Sequence, residues 1–151
     1  MAADTGISTL NGLIGTAIDS VNGYQESADA VTNPQFRELF QELARDRQQI
    51  VPQLQAEVAR LGGNPEDDGT ALAAAHRVFV DLKSAVTGKD DKSVINEVER
   101  GEDHIKEKFE TALADTALSE QTRAAIRDAY DSVRRGHDRV RDLKHALEGA
   151  A

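Results

Sequence analysis

Cysteine is absent from the 151-residue chain. That excludes disulfides, thiolate catalysis and Cys-based zinc or iron–sulfur sites. Tryptophan is absent too, and aromatics make up only 4%. Leu, Ile, Val and Ala must therefore fill any core, which suits helix packing better than a sheet. Proline occurs three times, at 34, 52 and 65, and two of these stand in segments that read as connections. No apolar run approaches the roughly 18 residues of a membrane span. The opening residues, Met1-Ala2-Ala3-Asp4, lack the basic start and apolar stretch of a signal peptide, so a cytoplasmic location is expected. Positive charge is in deficit. The net charge of −9 repels nucleic acid and anionic lipid, and neither is an expected partner.

What is present is helical periodicity. Hydrophobic residues make up 39% and charged residues 30%, enough for one core under a well-solvated surface, and residues 1–151 read as one domain. The first helix is predicted from about Thr5 to Val31, with Ile7, Leu10, Ile14, Ala17, Val21, Tyr24, Ala28 and Val31 spaced alternately by three and four. Asn33-Pro34 then forms a cap followed by proline at the first helical position. The second stripe is Phe36, Leu39, Phe40, Leu43, Ile50, Leu54, Val58 and Leu61, ended by Gly62-Gly63. One of these glycines should take the left-handed cap conformation. Pro52 lies inside the pattern and is expected to kink or locally open the helix.

Residues 62–92 are too long for a tight turn. Thr70 to about Val86 reads as a short helix that carries the chain back along the bundle. The third long helix runs from Asp90 or Lys92 to Leu113, with the stripe Ile95, Val98, Glu102, Ile105, Phe109 and Ala112. The fourth is capped by Ser119 and runs to about Leu147, on Ile126, Ala129, Tyr130, Val133, His137, Val140, Leu143 and Leu147.

Several stretches carry a resemblance. They are Leu10-Asn11-Gly12-Leu13-Ile14, Asn22-Gly23-Tyr24-Gln25-Glu26-Ser27-Ala28, the run Leu54 to Gly63, Asp81 to Gly88, Glu99-Arg100-Gly101-Glu102-Asp103, and His137-Asp138-Arg139-Val140-Arg141. In this order the chain resembles the bacterial, stress-associated ferritin-like four-helix-bundle proteins, a family of unknown function. The resemblance implies an all-α ferritin-like four-helix bundle with a short helix in the long crossover between helices two and three. It also implies a bacterial cytosolic protein, and little about activity.

The stripes are interrupted at one level. Counting along the helices puts Asp19 and Ser20, Asp46 with Arg47, and Glu102 near the middle of the bundle. Two readings compete there. Ferritin-like di-metal proteins place one Glu on each of two helices and a Glu-x-x-His pair on each of the others. On that pattern Asp46, Glu99, Glu102 and His137 are candidate ligands for iron or manganese. The pattern is incomplete: Gln49 follows Asp46 at i+3, and Arg134 precedes His137 at i−3. The other reading is a salt-bridge layer in which Arg47, Arg100, Arg134 and Arg135 pair with Asp46, Glu99 and Glu102. The missing ligand pairs favour it, with no catalytic residues and no cofactor. Tyr24 and Tyr130 are then packing residues, and His76, His104 and His145 surface residues. The leading expectation is a non-enzymatic scaffold or interaction protein that forms a homodimer through an exposed helix face. The alternative is a metal-binding protein or di-metal oxidoreductase.

Overall fold

A computed structural model describes residues 2–67 and 91–150, with side chains described for 5–67 and 91–146. The described residues are all helix, turn and connection, with no strand. Four helices form a bundle: α1 (Ala2–Ala30), α2 (Pro34–Arg60), α3 (Asp91–Leu113) and α4 (Glu120–Ala150). The expected crossover helix, Thr70 to Val86, lies outside the described residues, as does His76.

Local signals end the helices as their chemistry requires. The Asn33 side chain accepts from Gln35 N at 2.8 Å, and Pro34 follows at the first helical position. At the other end of α2, Gly63 N donates to Val58 O at 3.0 Å and Gly62 N to Ala59 O at 3.0 Å. Gly62 has φ of 88°. This is the double hydrogen bond of a Schellman cap, and its left-handed residue suits glycine. Pro52 does not end α2, which is helical through Arg60. The proline is exposed, so the carbonyl four residues back, on Gln48, loses its helical donor where water can replace it. Ser119 caps α4, with Thr122 N donating to its hydroxyl at 3.2 Å.

α1 packs on α2 and α3, while α4 packs on α3 and α2. Asp91, at the start of α3, is tied to the α1–α2 turn. Its carboxylate accepts from Thr32 N at 2.8 Å, Asn33 N at 2.9 Å and the Thr32 hydroxyl. α3 therefore starts where α1 ends and α2 begins, and it runs parallel to α2. Each pair of packed neighbours is antiparallel.

Burial alone would raise the pKa of Asp91, but these amides and the hydroxyl outweigh it and hold the carboxyl below its ordinary value. A depressed folded-state pKa contributes stability above the unfolded value, and this is lost as pH falls through the folded value. Asp91→Ala should thus cost about 1–2 kcal/mol near neutrality. Its penalty should vanish in acid, below the carboxylate range. Urea unfolding of both proteins across pH checks this, and a pH-independent penalty would contradict it.

Among the described residues the core has two apolar clusters. One contains Leu10, Ile14, Ile50, Leu54, Val58, Ile105, Phe109, Ile126 and Val133 among others. The second contains Tyr24, Val31, Phe40, Leu43, Ile95, Val98 and Val140 among others. Between them lies the polar layer.

Candidate functional site

The layer is built on Arg47 and Glu102. On α2 both Asp46 and Arg47 fit a three-and-four step between Leu43 and Ile50, but Arg47 stands seven residues after Phe40 and seven before Leu54, at the centre of the buried face, while Asp46 lies at its half-buried edge. On α3, Glu102 stands four residues after Val98 and three before Ile105. The two side chains are 1% and 2% exposed, and their charged ends meet edge to edge. Arg47 Nη1 lies 3.0 Å from Glu102 Oε1, and Nη2 donates to Oε2 at 3.0 Å. This is the bidentate fork that guanidinium and carboxylate favour.

Three further groups complete the layer. Arg47 Nη1 also donates to the Ser20 hydroxyl on α1 at 2.6 Å. The Tyr24 ring lies under the guanidinium, 5.5 Å from its carbon to the ring centroid, within cation–π range. Gly136 supplies the space on α4. A Cβ there would stand 2.8 Å from Arg47 Nη2 and 3.6 Å from Glu102 Oε2. The four helices thus meet at one level through Ser20, Arg47, Glu102 and Gly136. Burial works against the Arg47 charge, but Glu102 outweighs it and holds the guanidinium more firmly protonated than usual.

The Tyr24 hydroxyl is buried beside this pair without a hydrogen bond of good geometry. Burial first, and then the Glu102 carboxylate, push it well above the ordinary tyrosine value. Tyr130 stands outside the layer, its hydroxyl donating to Glu110 at 2.7 Å. Burial and that bond raise it to about 12. These are the chain's two tyrosines, and there is no tryptophan. Ultraviolet titration should therefore show almost no tyrosinate in the native protein at pH about 10, where the unfolded chain is about half ionised. Both shifts are upward, so the stability they contribute is complete below the unfolded value and declines as pH rises through the folded ones. A native transition near 10 would contradict the placement of both rings.

Glu99 and His137 have partners other than Glu102. Glu99 binds Lys144, Nζ to Oε1 at 2.6 Å. His137 sits at the α3–α4 edge, with Nε2 2.7 Å from Asp103 Oδ1 and Nδ1 3.4 Å from Asp138 Oδ1. Asp46 is half-buried on α2, beside the inward stripe. Among the described residues no three His, Asp or Glu side chains converge as a metal-binding group. Both Glu102 oxygens face the Arg47 guanidinium. Arg134 and Arg135, expected near the layer, are exposed, and Arg100 pairs with Glu97 at 3.1 Å.

A second polar cluster escaped the sequence reading. Glu57 is 7% exposed and Thr122 1%. The Thr122 hydroxyl donates to Glu57 Oε2 at 2.9 Å, and Arg60 Nε donates to Oε1 at 2.8 Å. The Ser119 hydroxyl, which caps α4, donates to Thr122 Oγ1 at 3.0 Å. The only sequence signal was Thr122 itself, four residues before Ile126 on the inward stripe. The cluster ties the end of α2 to the start of α4.

Fold and layer together define a class: an all-α four-helix bundle whose core is crossed by one internally paired ionic layer. Over residues 5–115 the chain matches the family described as a domain of unknown function, DUF2383. The chain belongs to that family. The matched stretch holds both Arg47 and Glu102 and ends in the turn before α4. No curated protein matches the chain. No described helix is long and apolar enough to cross a membrane.

Proposed function

We propose that this chain is a non-enzymatic ferritin-like bundle that works as a helical scaffold or interaction protein. The observation that carries this reading is the saturation of the ionic layer: Arg47 engages both oxygens of Glu102. Chemistry at this level would need a carboxylate free to act as acid, base or ligand. The connectivity supports the ferritin-like part of the reading. Two antiparallel hairpins, joined so that α2 and α3 run parallel, require one long crossover, here residues 61–90. The bacterial, stress-associated and cytoplasmic setting comes into the proposal through the resemblance of the stretches from Leu10 to Arg141.

The competing reading is a metal-binding protein or di-metal oxidoreductase, with iron or manganese held by Asp46, Glu99, Glu102 and His137. It requires Arg47 to leave Glu102 and His137 to turn from Asp103. Metal analysis of protein purified without chelator separates the two. The scaffold reading expects far less than one iron or manganese per chain, with no change in Glu102→Gln. One or two ions per chain, lost in Glu102→Gln, would overturn it.

A further inference from the structure

Arg127, Asp131 and Arg134 stand exposed on α4. Opposite charges three and four residues apart on a helix commonly pair with each other. These three form no ion pair or hydrogen bond among the described residues. They are the middle of a longer row on the outer face of α4: Glu120, Arg127, Asp131, Arg134, Asp138 and His145. At 3.6 residues per turn, all six fall within an arc of about 60°. Their spacing is seven, four, three, four and seven residues, the same in both directions. Reading the row backwards also inverts the charges of its four inner members, Arg127, Asp131, Arg134 and Asp138. An antiparallel copy, turned about a two-fold axis between Ser132 and Val133, sets Arg127 against the partner's Asp138. The same operation sets Asp131 against the partner's Arg134, and Glu120 against the partner's His145.

We propose that the outer face of α4 is the interface between two copies of this chain, paired antiparallel in that register. A two-fold interface must be self-complementary, and this row is so in spacing throughout and in sign over its four inner residues. The proposal deepens the interaction reading and rests on it, by naming the surface and the partner. Within one chain, Glu120 meets Arg123 at 3.7 Å and Asp138 meets Arg141 at 3.4 Å. Such loose surface pairs exchange readily for a partner's charge. The row is charged rather than apolar, so the dimer is weak and strongly salt-dependent.

Sedimentation equilibrium of the full chain tests this. At low salt and high protein concentration, the apparent mass should rise from 16.4 kDa towards twice that value. It should return to the monomer at high salt. Arg127→Asp with Arg134→Asp makes the row acidic, and Asp131→Arg with Asp138→Arg makes it basic. Each of these variants alone should be monomeric, and their equimolar mixture should dimerise. The exchange Asp131→Arg with Arg134→Asp keeps the row self-complementary and should dimerise like the parent. Circular dichroism checks that all variants are folded. A parent monomeric at low salt, a dimer indifferent to these substitutions, or a mixture that stays monomeric would overturn the proposal. None of these outcomes bears on the closed Arg47–Glu102 layer, which metal analysis tests separately.

Discussion

Glu102→Leu destabilises the bundle by about 3–5 kcal/mol, because it strands the Arg47 guanidinium in the core with Ser20 as its remaining hydrogen-bond partner. The paired variant, Arg47→Met with Glu102→Leu, should be neutral or up to about 1–4 kcal/mol more stable than the parent. The difference follows from desolvation. Two buried charges nearly offset their own burial by facing each other, whereas one alone does not. A small domain has only about 5–15 kcal/mol of net stability, so the single change should remove a large share of it. Urea unfolding of the parent, both single variants and the double variant measures the coupling. Single and double variants of equal stability would show that the two charges do not depend on each other.

Gly136→Leu should be the second large effect. Glycine inside a helix ordinarily costs up to about 1 kcal/mol relative to alanine. Gly101 on α3 fits that rule: a Cβ there meets nothing within 4 Å, and Gly101→Ala should stabilise by about 0.5–1 kcal/mol. At Gly136 the sign reverses. The nearest atom to an added Cβ is Arg47 Nη2 at 2.8 Å, followed by Leu43 Cδ2 and Glu102 Oε2, each at 3.6 Å. Arg47 is flexible, but it cannot retreat without giving up Glu102. Leucine at this position should therefore cost at least the roughly 1–3 kcal/mol of overpacking. Thermal unfolding of Gly101→Ala and Gly136→Leu should move in opposite directions. Two stabilised variants would mean that α4 does not need its close approach.

The four helices and most of their inward residues were legible in the sequence, because the three-and-four ladders of Leu10 to Val31 and Ile95 to Ala112 admit only one face. The caps at Asn33 and Ser119 and the glycine stop at Gly62 were legible for the same local reasons. The level of the polar layer could be counted, but its members could not all be named. Asp46 and Arg47 both fit the step from Leu43 to Ile50, one as three and four, the other as four and three, so the ladder alone does not choose between them and packing turns Arg47 inward. His137 fits the α4 stripe in the sequence because Val133 lies four residues before it and Val140 three after. The structure instead turns Gly136 inward, three after Val133 and four before Val140. A glycine carries no hydropathy signal, so its part in admitting a neighbouring ion pair appears only when the helices are packed. Glu57 and Thr122 each have a local partner, Arg60 and Ser119, but the bond that buries them joins residues 65 apart, which no local pattern shows.

In the closed layer Glu102 is held by Arg47 and unavailable to an ion. The most direct test is thermal unfolding of the metal-free chain in the presence and absence of excess ferrous or manganous ion. An ion held in the folded state at about a hundredfold excess over its dissociation constant adds about 2.7 kcal/mol. In a chain of this size that raises the midpoint by roughly 5–10 °C. The closed layer predicts the same midpoint with and without metal, in the parent and in Glu102→Gln alike. A rise of several degrees in the parent that disappears in Glu102→Gln would contradict it.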